Sequence, residues 1–321
     1  MVTPPLLIEP SLAYRRLSPN LRGALWMLLS AVTFTAMTTL IKFLGKDYPA
    51  PLQAFYRQAA GLVILLPWIL KNPVRAFATT RPGIMIFRAG AGAIAMTLQF
   101  YAFQKMPLAD ANALSFTRAL WLVPLAAFML RETIGPHRIA AAIIGFAGVL
   151  VMVHPGAAGG LGLPQLCMLA SSLLFAFTVV GMKALTRDHP PSTLLYWSAA
   201  LGVLFTLPLG LMAWRWPTLG DLGLLCLMGV IATVNQACYI KGMQAGDAAA
   251  MAPIDYTRLV FSAIVGFFLF SEVPGALTFV GAAIVIASTL YITLREHRIV
   301  LRARRAAERS SETHSLDWGG S

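Results

Sequence analysis

Charge is what this sequence has least of. Only 12% of its 321 residues are Asp, Glu, Lys or Arg, about half the usual supply of a soluble domain. With 58% hydrophobic residues and a mean hydropathy of +0.71, the chain cannot cover itself with polar surface, so its expected solvent is a bilayer. Acids are scarcer still, 13 against 25 basic residues, a net +12. The basic residues fall in short segments between apolar runs rather than in one patch, which fits membrane topology and not nucleic-acid binding. Cysteine is nearly absent: Cys167, Cys226 and Cys238 all lie in apolar stretches without metal spacing, and read as small buried hydrophobes. The five histidines form no HExxH-like cluster. No paired carboxylates or nucleophile–base set occur at one membrane depth, which argues against a membrane enzyme, the rival class together with a non-transporting scaffold. No ATPase motif is present. The first 22 residues are Pro-rich and basic, unlike a signal peptide, and are expected to be retained as a cytoplasmic segment.

What is there is a series of apolar runs of spanning length, which needs about 20 residues each. Ten are predicted, at 23–44, 52–70, 83–104, 109–130, 134–153, 163–185, 193–214, 222–243, 248–270 and 274–294. Pro, Gly and charge punctuate the gaps, as in "DYPAP", "RETIGPHR", "TRDHPP" and "SEVPG". With the N-terminus inside, the inner segments carry 17 Lys and Arg and the outer ones 4. Both termini are therefore expected in the cytoplasm, with the chain multi-pass in the inner membrane. The tail at 295–321 starts as a basic helical extension suited to anionic headgroups and then turns polar.

The chain also repeats itself. At a shift of 141 residues Ser30 meets Ser171, Phe34 meets Phe175, Lys42 meets Lys183, Pro49 meets Pro190 and Pro67 meets Pro208. At a shift of 140, Thr117-Arg118 meets Thr257-Arg258 and Glu132 meets Glu272, each arginine 14 residues before its glutamate. Shared apolar bias does not generate matches of Lys, Pro, Arg and Glu. Each copy holds five spans, at 23–154 and 162–294. Five is odd, so the second copy enters the membrane inverted, the architecture of a transporter with a site between two rocking halves. The fold class expected is an all-α polytopic membrane protein of ten helices in two inverted five-helix repeats.

The stretches "MPLADANALSFTRALWLVPLAAFMLRETIGPHRIAAAIIGFAGVLVMVHPG" and "APIDYTRLVFSAIVGFFLFSEVPGALTFVGAAIVIASTLYI" resemble the EamA-type repeat of the drug/metabolite transporter superfamily. That resemblance implies transport of a small metabolite; members carry amino acids, amines, nucleotide sugars, riboflavin or S-adenosylmethionine. "YTRLVF" is most similar to the riboflavin and S-adenosylmethionine carriers, which form the alternative reading. Small relatives use a glutamate in the first helix for cation export, and the first span here has no acid.

Four arginines fall inside predicted spans: Arg57, Arg88, Arg118 and Arg258. A charge near mid-bilayer costs at least about 2.5 kcal/mol, so such residues face a wet cavity or a partner. Arg57 and Arg88 lie near helix ends, where snorkelling or a structural contact also accounts for them. Arg118 and Arg258 lie about ten residues into their spans. Of the acids only Asp255 is well inside a span, three residues before Arg258, on one helix face with it. Its counterpart in the first copy is Ser115, which leaves Arg118 without an acid on its own helix. Asp110 and Asp247 are placed to cap helices four and nine. Gln99, Trp121, Asn235, Gln236 and Tyr256 are further binding candidates that also serve as helix packing. Pro124 and Pro253 are expected to kink the two arginine-bearing spans. The implied cargo is zwitterionic or anionic, its carboxylate on Arg118 and an amine on Asp255. The expected partners are that small molecule and the lipid bilayer. A homodimer is allowed, and no cofactor, metal or catalytic residue is implied.

Overall fold

The computed structural model describes residues 19–130, 135–153, 162–185, 189–245 and 248–317, and all ten expected spans fall on helices there. No strand occurs among the described residues. In chain order the helices are α1 (Pro19–Leu44), α2 (Ala50–Lys71), the single turn α3 (Pro73–Ala76), α4 (Pro82–Lys105), α5 (Leu108–Ser115) and α6 (Thr117–Leu130). The second copy follows with α7 (Pro136–Val153) closing the first and α8 (Leu163–Leu185), α9 (Pro191–Met212), α10 (Leu219–Ala245), α11 (Ala248–Asp255), α12 (Thr257–Phe270) and α13 (Ala276–Asp317). Among the described residues, seven helical segments are long and apolar enough to cross a membrane, one of them running from α11 into α12. Proline opens several of them: Pro49, Pro107 and Pro190 stand at the caps of α2, α5 and α9, where its fixed φ and missing N–H cost nothing. The tail continues α13 as helix to Asp317.

Spans four and nine are not continuous helices kinked at their prolines. Pro124 lies within α6 and Pro253 within α11, whereas the breaks fall at Phe116 and Tyr256, two residues before each arginine. At both breaks the residue that follows bonds backward. The hydroxyls of Thr117 and Thr257 donate back to the carbonyls of Leu114 and Ile254, both at 2.7 Å. The amides of Ala119 and Leu259 accordingly reach only to the carbonyls three residues back, at 3.0 Å. A threonine that competes for backbone acceptors tightens the helix locally into a 3₁₀-like step.

The repeat partners pack antiparallel, which is the inversion made visible. Between α7 and α13, Ser288 donates to the Ala141 carbonyl while Gly148 lies against Gly281 and Ile284. Spans four and nine cross through α5 and α12, the first piece of one against the second piece of the other: the Asn112 amide donates to Ser262 at 2.5 Å and Leu108 lies against Gly266. Between α2 and α9, Gly202 meets Gln58 and Gly210 meets Phe55. The remaining pairings exchange under the same symmetry: α1 packs on α10 as α8 packs on α4. Asn235 donates to the Ser30 carbonyl at 2.7 Å in the first pair, and Ser171 to the Ala95 carbonyl at 2.6 Å in the second.

At the α7–α13 seam a Cβ on Gly281 would lie 2.5 Å from the Gly148 carbonyl oxygen and 2.9 Å from Met152. Neither neighbour can yield, one being backbone and the other a buried side chain at its Cβ. Gly281→Ala is therefore expected to cost about 1–3 kcal/mol by overpacking, read as a fall of several degrees in melting temperature in detergent. An unchanged melting point would mean the two helices do not cross this closely.

The largest buried cluster fills one half of the molecule. It joins the end of α1 (Met37, Ile41, Leu44), the start of α2 (Leu52), the end of α4 (Phe100, Phe103) and α5, with Met168, Leu225, Met228 and Val285. These positions lie toward the membrane face at which α1 ends. The opposite half is where the molecule is open.

Candidate functional site

A cavity of about 240 Å³ lies beside both helix breaks. From the first break come Ser115, Phe116 and Arg118, and from the second Asp255, Tyr256 and Arg258. Met27 of α1, Ala119 and Leu122 of α6, Tyr239 and Met243 of α10, and Thr289 and Thr293 of α13 complete the lining. Met27 lies in the early turns of α1, whereas Met243 and Thr293 lie near the far ends of the membrane-spanning parts of α10 and α13. The cavity thus opens toward the face where α1 begins, away from the packed core.

The two related arginines have unlike surroundings. Arg258 is buried, its guanidinium between the rings of Phe116, 4.2 Å from the centroid, and Phe34, at 4.9 Å. It pairs with Asp255 at 3.8 Å and donates to the Ser115 hydroxyl at 3.4 Å. Tyr256 meets Phe116 edge-on at 4.6 Å, closing the aromatic clamp. Arg118 lines the cavity half-buried, and among the described residues no hydrogen bond or ion pair holds it. One cation is stacked, paired and withdrawn; the other is presented to whatever enters. Asp255 keeps 22% of its side chain accessible, so it faces the cavity as well as Arg258.

The remaining sequence candidates go elsewhere. Arg88 is buried between α4 and α9, donating to the Leu194 carbonyl at 3.2 Å and to the Ser198 hydroxyl. Arg57 contacts Gln58 and the Met96 sulfur. Asn235 ties α10 to α1 through Ser30 and Thr33. Trp121 packs edge-on against Phe146 at 4.6 Å, Gln236 is exposed and Gln99 half-buried, and none of these lines the cavity. Sequence reasoning missed Phe116, Ala119 and Leu122 beside Arg118, and Met27, Tyr239, Met243, Thr289 and Thr293 on the other helices. Their signal was a spacing of four, Tyr239 to Met243 and Thr289 to Thr293, which stacks each pair on one helix face.

At the opposite face the packed half is fastened by a charge pair. The Lys42 ammonium, on the last turn of α1, pairs with Glu272 and donates to the Met106 carbonyl at 2.5 Å. The other oxygen of Glu272 accepts the Leu108 amide at 2.9 Å. Asp110, expected to cap this helix, does not: Pro107 holds the cap position without a side-chain bond. A glutamate from the other repeat satisfies the exposed amide instead, which also places negative charge at the positive end of the helix dipole. Glu272 is aimed there by Ser271, in the left-handed region at φ 55, with the Glu272 amide bonded back to the Gly266 carbonyl at 3.0 Å. Glu132 and Asp247 lie outside the described residues.

Comparison with known proteins agrees with this architecture. The model of the EamA-like transporter family matches residues 21–154 and 163–294. An S-adenosylmethionine uptake transporter of Rickettsia prowazekii (strain Madrid E) is 30% identical over 88% of this chain and 96% of its own. A riboflavin transporter of Rhizobium johnstonii is 27% identical, covering 91% and 95%, and a pseudopaline exporter of Pseudomonas aeruginosa 26%, covering 84% and 95%. A solved crystal structure has the same fold, with a TM-score of 0.58 at 19% identity over 86% of this chain and 98% of that one.

Proposed function

The chain belongs to the EamA-like transporter family, and from that premise we propose that its cargo is a small zwitterion, bound through a carboxylate on Arg118 and an amine on Asp255. It is a multi-pass membrane transporter and not an enzyme, like its family and relatives. The observation that carries the substrate reading is the guanidinium of Arg118, without a hydrogen bond or ion pair among the described residues, in a cavity shared with the partly accessible carboxylate of Asp255. Guanidinium and carboxylate match as a planar two-bond fork, and such bonds are about twice as strong as neutral ones. A cargo with both charges uses both groups; an anion leaves Asp255 facing it, and a simple amine leaves Arg118 unmet. The cavity, about 240 Å³, is at the small end of ligand sites, about 300–1,000 Å³, which favours an amino-acid-sized compound in this conformation.

The second reading, a carrier of S-adenosylmethionine or riboflavin, draws on the names of the relatives. S-adenosylmethionine carries an α-amino carboxylate, so the same two residues would take its head group while the cavity widens for the rest. Movement follows alternating access between the inverted halves, driven by an ion gradient or the cargo's own. With the termini cytoplasmic, the cavity opens inward.

The test is flux into proteoliposomes of purified protein with labelled amino acids, S-adenosylmethionine and riboflavin. Saturable flux of an α-amino acid compound is expected, competed by other zwitterions and at least tenfold less well by the same compound without its amine or its carboxylate. Equal competition by the truncated compounds, or flux of riboflavin alone, overturns the zwitterion reading.

A further inference from the structure

Arg118 and Arg258 are repeat partners, and the break before each is built alike, with the same threonine bond at 2.7 Å. Their surroundings are not alike. Arg258 is clamped by Phe34 and Phe116 and donates to Ser115, while Arg118 is free in the cavity. In a molecule of two inverted copies, such an asymmetry belongs to one state of the cycle. The state open to the other face is the one in which the halves have exchanged surroundings.

The sequence supplies the parts for that exchange. The partner of Phe34 is Phe175, that of Phe116 is Tyr256, and that of Ser115 is Asp255. Phe175 is a half-buried residue of α8, the helix on which α6 packs, just as Phe34 belongs to α1, on which α12 packs. Each aromatic of the clamp therefore has an aromatic repeat partner, Tyr256 at the cavity and Phe175 on the helix against which α6 packs. The pair that differs in charge is Ser115 and Asp255, and it makes the exchanged bond between the repeats a salt bridge where the present one is a hydroxyl contact.

We propose that the two arginines trade roles during transport. When the cavity opens to the opposite face, Arg118 is clamped between Phe175 and Tyr256 and paired with Asp255, and Arg258 is released as the cation that meets the cargo. Cargo handed from one arginine to the other always has one guanidinium, and the withdrawn arginine is always stacked rather than left bare in hydrocarbon, where it would be costly. Asp255 serves both states. This deepens the zwitterion reading, on which it rests for the identity of the cargo, and adds Arg258 as a second binding residue.

The experiment reads conformation without any cargo. The full chain, with Cys167, Cys226 and Cys238 replaced by alanine and Met243→Cys at the cavity, is placed in nanodiscs and labelled with a water-soluble maleimide. Phe34→Leu removes the ring over Arg258 while keeping most of the volume, and is expected to slow labelling at least threefold by depopulating the present state. Phe175→Leu leaves the present clamp of Phe34 and Phe116 over Arg258 intact and removes the ring proposed for the exchanged one, and is expected to label as fast as the parent or faster. Unchanged labelling in Phe34→Leu, or slowed labelling in Phe175→Leu, overturns the exchange. If zwitterion flux is absent while the two leucine variants diverge, the cargo reading falls and the exchange stands.

Discussion

Arg118→Ala is expected to lower the kcat/KM of uptake by about a hundredfold and to leave the melting temperature unchanged. Each hydrogen bond to a charged group contributes about 1.5–3 kcal/mol, and a factor of ten is about 1.4 kcal/mol, so the loss of one fork to a carboxylate gives this order. Stability is spared because Arg118 makes no hydrogen bond or ion pair among the described residues. Arg118→Lys keeps the charge but not the planar fork, and should fall between parent and alanine. Arg258→Ala should behave differently, losing stability as well as flux, because it strips Phe34, Phe116, Asp255 and Ser115 of their shared partner. Flux assays in proteoliposomes beside thermal melts separate the two. Wild-type flux in Arg118→Ala would end its role as the cargo's cation.

The second large effect is expected at the charge pair on the sealed face. Lys42 and Glu272 are 13% and 16% exposed, so removing either partner leaves a poorly hydrated charge behind, at a cost of about 3–5 kcal/mol. Lys42→Ala and Glu272→Ala should each lower the melting temperature by several degrees, and Lys42→Ala/Glu272→Ala should recover part of that loss. Additive losses would mean that the pair contributes no coupling. Lys42→Glu/Glu272→Lys restores opposite charges yet points an ammonium at the Leu108 amide, which now donates to Glu272. Rescue by this exchange should therefore be incomplete. Full rescue would remove the helix-capping role from Glu272.

Much of the architecture could be read directly. Ten spans, the repeat near 140 residues and its inversion all follow from counting, and the antiparallel seams α2–α9, α5–α12 and α7–α13 are their physical form. Three site residues, Arg118, Asp255 and Arg258, could be singled out because charge inside an apolar span is expensive enough to need a reason, and Tyr256 as their polar aromatic neighbour. The helix breaks were misplaced. Proline is the conspicuous breaker, but a tertiary fold can absorb a proline, whereas Thr117 and Thr257 redirect specific carbonyls. Asp110 looked like a cap by its position alone, and the amide at Leu108 is met instead from 164 residues away.

What the sequence decided by itself is topology: how many times the chain crosses, that its halves are inverted copies, and which depths carry charge. Those properties depend on hydropathy along one dimension, and transfer energies do not require knowing a neighbour. What only the tertiary structure decided is allegiance. Arg88, Asn235 and Trp121 are as polar or aromatic as the cavity residues, yet they serve seams between helices. In sequence Arg258 has an acid on its own helix and Arg118 none, but only the fold shows Arg258 stacked between Phe34 and Phe116 and Arg118 lining the cavity with no hydrogen bond or ion pair among the described residues. When lipid and neighbouring helices are both apolar, no periodicity marks the inward face. The partner of each polar group is then set by how the helices are laid against one another.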